Sequence, residues 1–146
     1  MLVLQVSARN INMSSIEESK TLRRRAQIFL EHAQEALERE QYDFSCFSAE
    51  QAAQLYLKSL ALVVLGEIPR IHKVRELLSV LADTVSGASG GIKRFIKENR
   101  EALRVLEESY VAARYLPSTY SREEADAAID LAKKVIRICD TILKHR

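Results

Sequence analysis

Phe44-Ser-Cys-Phe47-Ser-Ala-Glu-Gln51-Ala-Ala-Gln-Leu-Tyr56-Leu-Lys58-Ser-Leu-Ala-Leu-Val-Val-Leu65, closed by Gly66, is the stretch that decides the fold. Laid on a helix over 44–65, its apolar residues (Phe44, Phe47, Ala52, Ala53, Leu55, Tyr56, Leu57, Leu60, Ala61, Val63, Val64, Leu65) cover most of the circumference. A surface helix carries one apolar stripe, so a helix apolar nearly all round sits at the centre of a bundle or is also buried in an oligomer. Gly66 supplies the C-cap, because glycine enters the left-handed region without a Cβ penalty. Asp43 can cap the start. Gln51 and Lys58 are seven apart and share a face. Polar groups on such a helix need partners. Either Gln51 bonds to a neighbouring helix and Lys58 snorkels to water, or the two line a pocket.

The flanking segments are helical too. Ser14 with Glu17 and Ser15 with Glu18 fit capping boxes, and Leu22, Ala26, Phe29, Ala33 and Leu37 form one stripe of a helix that runs out near Glu40. Residues 1–13 fit less well. Leu2, Leu4 and Val6 alternate like a short strand without a partner, so 1–13 is expected to be a disordered or mis-annotated extension, with Met13 as an alternative start, before a bundle over 14–146. After Gly66, a helix is predicted over 71–85 with Val74, Leu77, Leu78, Leu81 and Val85 inward. His72 falls in its first turn, where the helix dipole favours a neutral imidazole; a plain surface histidine is the alternative.

Ser86–Gly91 is expected to be a flexible loop. It is not a phosphate loop, since no Gly-Lys-Ser/Thr follows it. A helix over 92–116, bent near Asn99, carries a basic stripe of Lys93, Lys97, Arg100 and Arg104, offset in part by Glu101, Glu107 and Glu108. That stripe is either solvated or a phosphate contact. Pro117 ends the helix. Ser121 and Glu124 form a further capping box, and Ala125, Ala128, Ile129, Ala132, Val135, Ile136, Cys139, Ile142 and Leu143 make a regular seam. About five helices with short connections and no credible core strand give an all-α, up-and-down antiparallel helical bundle.

Composition excludes several classes. At 146 residues the chain fits one core. A net charge of +2 is too small to argue for nucleic acid by itself. Cys46 and Cys139 form no C-x-x-C pair, which argues against a thiolate zinc site and for reduced, buried thiols in the cytoplasm. No apolar run is long enough for a bilayer, and the N-terminus lacks a signal-peptide pattern. A di-iron bundle needs Glu-x-x-His, but the residues three before His32, His72 and His145 are Phe29, Pro69 and Ile142. No metal or cofactor is expected. No paired-carboxylate, Ser-His-Asp or Cys-His arrangement rises above chance.

The stretch least like scaffold is Tyr110-Val-Ala-Ala-Arg114-Tyr115-Leu-Pro117-Ser-Thr-Tyr120. Tyr110 and Arg114 share a helix face, and Tyr115 follows at the helix end. An arginine between two phenol rings is a ready anion or stacking site. The bland alternative is a bundle corner in which Arg114 pairs with a carboxylate.

Taken together, Phe47-Ser-Ala-Glu-Gln51 through Lys58-Ser-Leu, His72 with Leu77-Leu78, Tyr110-Val-Ala-Ala-Arg114-Tyr115 and Glu123-Glu124-Ala125 resemble the HEPN domain family (higher eukaryotes and prokaryotes nucleotide-binding), over about 23–142. The resemblance implies a helical bundle, usually a homodimer, often paired with a minimal nucleotidyltransferase, with binding positions at Gln51, Lys58, His72, Tyr110, Arg114 and Tyr115. It also implies an alternative, a metal-independent ribonuclease toxin of a toxin–antitoxin pair, for which Arg114, His72 and Tyr110 are the catalytic candidates. The ribonuclease branch uses Arg-x4-6-His near its later helices. The one formal match here, Arg25 to His32, lies on the first helix, and no histidine follows Arg114 within reach.

Overall fold

The computed structural model describes the backbone of residues 2–115 and 119–145, and side chains from Ser15 onward. Among the described residues, six helices form an all-α bundle: α1 (Leu2–Glu38), α2 (Tyr42–Leu65), α3 (Val74–Thr84), α4 (Ser89–Glu98), α5 (Arg100–Tyr115) and α6 (Arg122–Lys144). Among the described residues there is no strand.

The all-round apolar helix is central. α2 packs against α1, α3, α5 and α6, and Cys46, Ala49, Ala53, Leu57, Leu60 and Ala61 are buried on its several faces. Alanines at Ala26 and Ala33 on α1 let the two backbones approach closely. Two buried hydroxyls fix their antiparallel register. Ser45 Oγ donates to the Ala33 carbonyl at 2.8 Å, and Ser19 Oγ donates to the Ser59 carbonyl at 3.0 Å. Both partners step by fourteen residues between these bonds, in opposite chain directions.

α1 does not start at Ser14 or Ser15. It runs through from Leu2, so the alternation of Leu2, Leu4 and Val6 marks no strand and the two predicted capping boxes lie inside a helix. α1 ends at a turn that lacks glycine: Glu40 takes φ 61°, Gln41 N–H donates to Ala36 O at 2.8 Å and Glu40 N–H to Leu37 O at 3.1 Å. These two bonds are the paired closures of a Schellman motif.

Gly66 caps α2 in the left-handed region, φ 82°, as expected. Asp43 does not cap α2, whose N-cap is Gln41. Asp43 Oδ1 instead accepts from Tyr120 N–H at 2.8 Å, tying the segment before α6 to the start of α2.

The expected helix over 92–116 is two helices. Asn99 leaves helical geometry at φ −117°, ψ 21°. Its backbone N–H and its Nδ2 both donate to Phe95 O, while its own carbonyl accepts from Leu103 N–H to open α5. The basic stripe is therefore interrupted: Lys93 and Lys97 belong to α4, Arg100 and Arg104 to α5. Arg104 is neutralised by Glu101 and Glu108. Ser89-Gly90-Gly91, expected as loop, is the first turn of α4. The termination assigned to Pro117 lies outside the described residues. α6 opens with the predicted capping box, Ser121 Oγ accepting from Glu124 N–H at 3.1 Å and Glu124 Oε1 from Ser121 N–H at 2.9 Å. Both cysteines are free and buried.

Candidate functional site

The predicted residues fall into two groups joined by α2. At one end, α5 presents Tyr110 and Arg114 on one face. The Arg114 guanidinium carbon lies 4.4 Å from the Tyr110 ring centroid, 5.1 Å from Tyr115 and 5.8 Å from Phe47. The Tyr110 ring stacks on Phe47, with centroids 6.3 Å apart and planes 28° apart. Arg114 Nε donates to Tyr110 O at 3.1 Å, and among the described residues no carboxylate pairs with it. A guanidinium has five N–H donors, so most of its capacity is uncommitted. Contacts with three ring faces fix a cation that would otherwise sample many rotamers, at about 0.5–1 kcal/mol per exposed contact.

The surroundings are exposed and apolar. Tyr115 is 72% exposed, Phe44 57% and Val111 47%. Phe44 precedes Phe47 by three on α2, and Val111 precedes Tyr115 by four on α5. These side chains therefore gather at the same end of the bundle.

At the other end, Lys58 Nζ lies 3.1 Å from His72 Nδ1. A charged ammonium has only donors, so Nδ1 accepts in this contact. Burial pushes the Lys58 pKa down, and the Glu50 carboxylate opposes that shift. His72 is not in the first turn of α3. It lies in the connection two residues before Val74, so its partner is a side chain and not the helix dipole.

Gln51 lies between the groups. It does not reach a neighbouring helix; its Nε2 donates to Glu50 Oε1 at 2.7 Å, while Gln54 Nε2 donates to Glu50 Oε2 at 2.9 Å. Glu50 is the residue that sequence reasoning passed over. It is 1% exposed, and its pKa is pushed up to about 7 by burial, with Glu107 adding to the rise and Gln54, Gln51 and Lys58 opposing it. The signal was present: at helical spacing Glu50 shares a face with Cys46, Phe47, Ala53 and Leu57, all apolar. Glu107 on α5 in turn accepts from Arg75 N–H at 2.9 Å and from its guanidinium at 3.0 and 2.9 Å, capping the start of α3 from another helix.

From Phe47 to Lys58 is eleven residues, so the Arg114 and His72 groups sit ~16 Å apart along the α2 axis at 1.5 Å per residue. Arg25 and His32, the formal ribonuclease match, are both exposed on α1. Among the described residues no three His, Cys, Asp or Glu side chains cluster as metal ligands, and none of the helices is long and apolar enough to cross a membrane.

Comparison with known proteins agrees with this architecture. The family model described as the HEPN domain matches residues 19–142. The crystal structure of TT1696 from Thermus thermophilus superposes with a TM-score of 0.69 at 30% identity, covering 85% of this chain and 97% of that one. No curated protein matches the chain.

Proposed function

The chain belongs to the HEPN domain family, and on that premise we propose that it is a homodimeric binding module whose Arg114 group holds the phosphate of a nucleotide or a carboxylate of a partner minimal nucleotidyltransferase. The observation that carries this reading is the Arg114 guanidinium, held over Tyr110 beside Phe47 and Tyr115 with no carboxylate partner among the described residues. A fixed guanidinium matches phosphate and carboxylate geometry in a bidentate manner, and the exposed Tyr115 ring offers a base a stacking face. Gln51 and Lys58 lie further along the same helix, with His72 against Lys58 from the connection that follows it, and there they extend the contact to a larger partner. Phe44, Val111 and Tyr115 form the exposed apolar rim on which a second copy or the partner is seated.

Binding fits better than RNA cleavage. A ribonuclease needs its proton-transfer group within hydrogen-bond reach of the phosphate that its cation stabilises; His72 is engaged with Lys58, a long way along α2 from Arg114, so of the two proton-transfer candidates only the Tyr110 phenol stands beside the guanidinium and no imidazole joins it.

The test is calorimetric titration of the protein with ATP, GTP and a minimal nucleotidyltransferase, beside an Arg114→Ala variant. The reading expects binding that the substitution weakens by at least about tenfold, the loss of one charge-assisted contact. Binding unchanged in Arg114→Ala would refute the site. Equilibrium sedimentation showing only monomer at micromolar concentration would refute the dimer. Growth arrest and RNA loss on expression without a partner would replace this reading with the toxin.

A further inference from the structure

At the opposite end of the bundle from Arg114, the α3–α4 turn, α4 and the last three turns of α6 enclose a cleft of about 930 Å³. Small-molecule sites span roughly 300–1,000 Å³ and are mostly apolar with a few placed polar groups. This one is lined by the aliphatic Val85, Ile92, Ile138 and Ile142 and by the Phe95 ring. Lys134 and Arg137 stand on α6 at its edge, with His145 beyond. Among the described residues neither Lys134 nor Arg137 is in an ion pair. Among the described residues the single carboxylate in the lining is Glu98, set against Lys134 and Arg137.

Gly91 gives a place at which the cleft can be blocked. It is the third residue of α4, in the first turn. A Cβ built there would meet nothing within 4 Å, so no contact within the described chain requires its absence. Gly91 lines the cleft, so a longer side chain there takes up space that a bound molecule would use.

We propose that this cleft binds a single-chain amphiphile with an anionic head, a long-chain carboxylate or alkyl phosphate, with its chain along Ile92, Phe95, Ile138 and Ile142 and its head at Lys134 and Arg137. An aliphatic lining with one aromatic ring suits a hydrocarbon chain better than a stacked base. Two cations three apart on one helix suit a compact anion.

The test is calorimetric titration of the full chain, below micelle concentration, with dodecanoate, dodecyl phosphate, dodecyltrimethylammonium and ATP. It is repeated on Gly91→Leu and on Lys134→Glu/Arg137→Glu. A Cβ at Gly91 meets nothing within 4 Å and leucine raises helix propensity, and an unchanged or higher melting temperature checks that Gly91→Leu folds. The proposal expects binding of one or both anionic amphiphiles at one site and little of the cationic one. It also expects weakening by at least about tenfold in each variant. Binding of dodecanoate alone or of dodecyl phosphate alone supports it and identifies the head. Equal binding of the cationic amphiphile, binding indifferent to Gly91→Leu, or no binding of either anion overturns it. So does ATP binding lost in Gly91→Leu, which would make the cleft a nucleotide site. A dimer broken by Gly91→Leu with no amphiphile bound would assign the cleft to a second copy.

Discussion

Glu50→Gln should make the protein's stability less sensitive to pH, and by an amount the structure sets. Glu50 is buried between Gln51 and Gln54, with its pKa raised from 4.5 to about 7, chiefly by desolvation. A carboxyl whose folded-state pKa exceeds its unfolded value favours folding in its protonated form. Its contribution is fully present below about pH 4.5 and is lost as pH rises through 7. A rise of 2.5 pH units, from 4.5 to 7, is worth about 3 kcal/mol at 1.36 kcal/mol per unit. Glutamine keeps the volume and cannot ionise. It also presents an amide that Gln51 and Gln54 can meet by flipping their own. Urea unfolding of both proteins, at equal concentration from pH 4.5 to 8, measures the difference. The variant should gain about 3 kcal/mol on the parent across that range, with most of the change between pH 5 and 7. A difference that stays flat with pH, or one in which the parent gains on the variant, would refute the argument that burial governs this carboxyl.

Other consequences are as direct. Ser121→Ala removes the hydroxyl that accepts from Glu124 N–H and should lower unfolding free energy by about 1 kcal/mol in the same urea assay. Glu40→Gly relieves a left-handed residue at the α1–α2 turn and should raise stability by about 0.5–1 kcal/mol, the left-handed penalty less the added freedom of glycine in the unfolded chain. Cys46 is buried and its pKa is pushed up to about 12 by desolvation, with Glu124 and Asp43 adding to the rise, and Cys139 is raised likewise. Ellman's reagent should therefore label neither thiol in the folded protein, and labelling should track global unfolding across a urea titration.

How far the sequence could be read depends on which interactions decide each element. α2 was legible because its burial is written in composition alone, and α6 because its seam and capping box are local patterns. The break at Asn99 was visible as a bend. That it separates two helices depends on the Asn99 side chain and backbone both bonding to Phe95 O, a choice between conformers that periodicity does not encode. Ser89-Gly90-Gly91 looked like loop because glycines punctuate, yet burial of Ile92 draws the turn before it into α4. At the candidate site, the approach of Arg114, Tyr110 and Tyr115 follows from helical spacing. The addition of Phe47, the pairing of Lys58 with His72 and the diversion of Asp43 to Tyr120 are tertiary contacts between positions 14 to 77 residues apart, and no local pattern carries them.

The glycine-free turn at Glu40 joins the two longest helices of the bundle, and this bears on the order in which the molecule assembles. α1 and α2 are neighbours in sequence, closed by a turn of three residues, Arg39–Gln41. Loop closure over so short a span loses little chain entropy, so this hairpin can form on the microsecond scale of local helical contacts. α6 must return to α2 across the whole of α3, α4 and α5, and it belongs to the late, slower event. Substitutions along the α1–α2 seam, such as Ala33→Gly, should then slow refolding. Substitutions on α6, such as Val135→Ala, should mainly speed unfolding, so that the two halves of one continuous core separate in a chevron plot although they are indistinguishable at equilibrium.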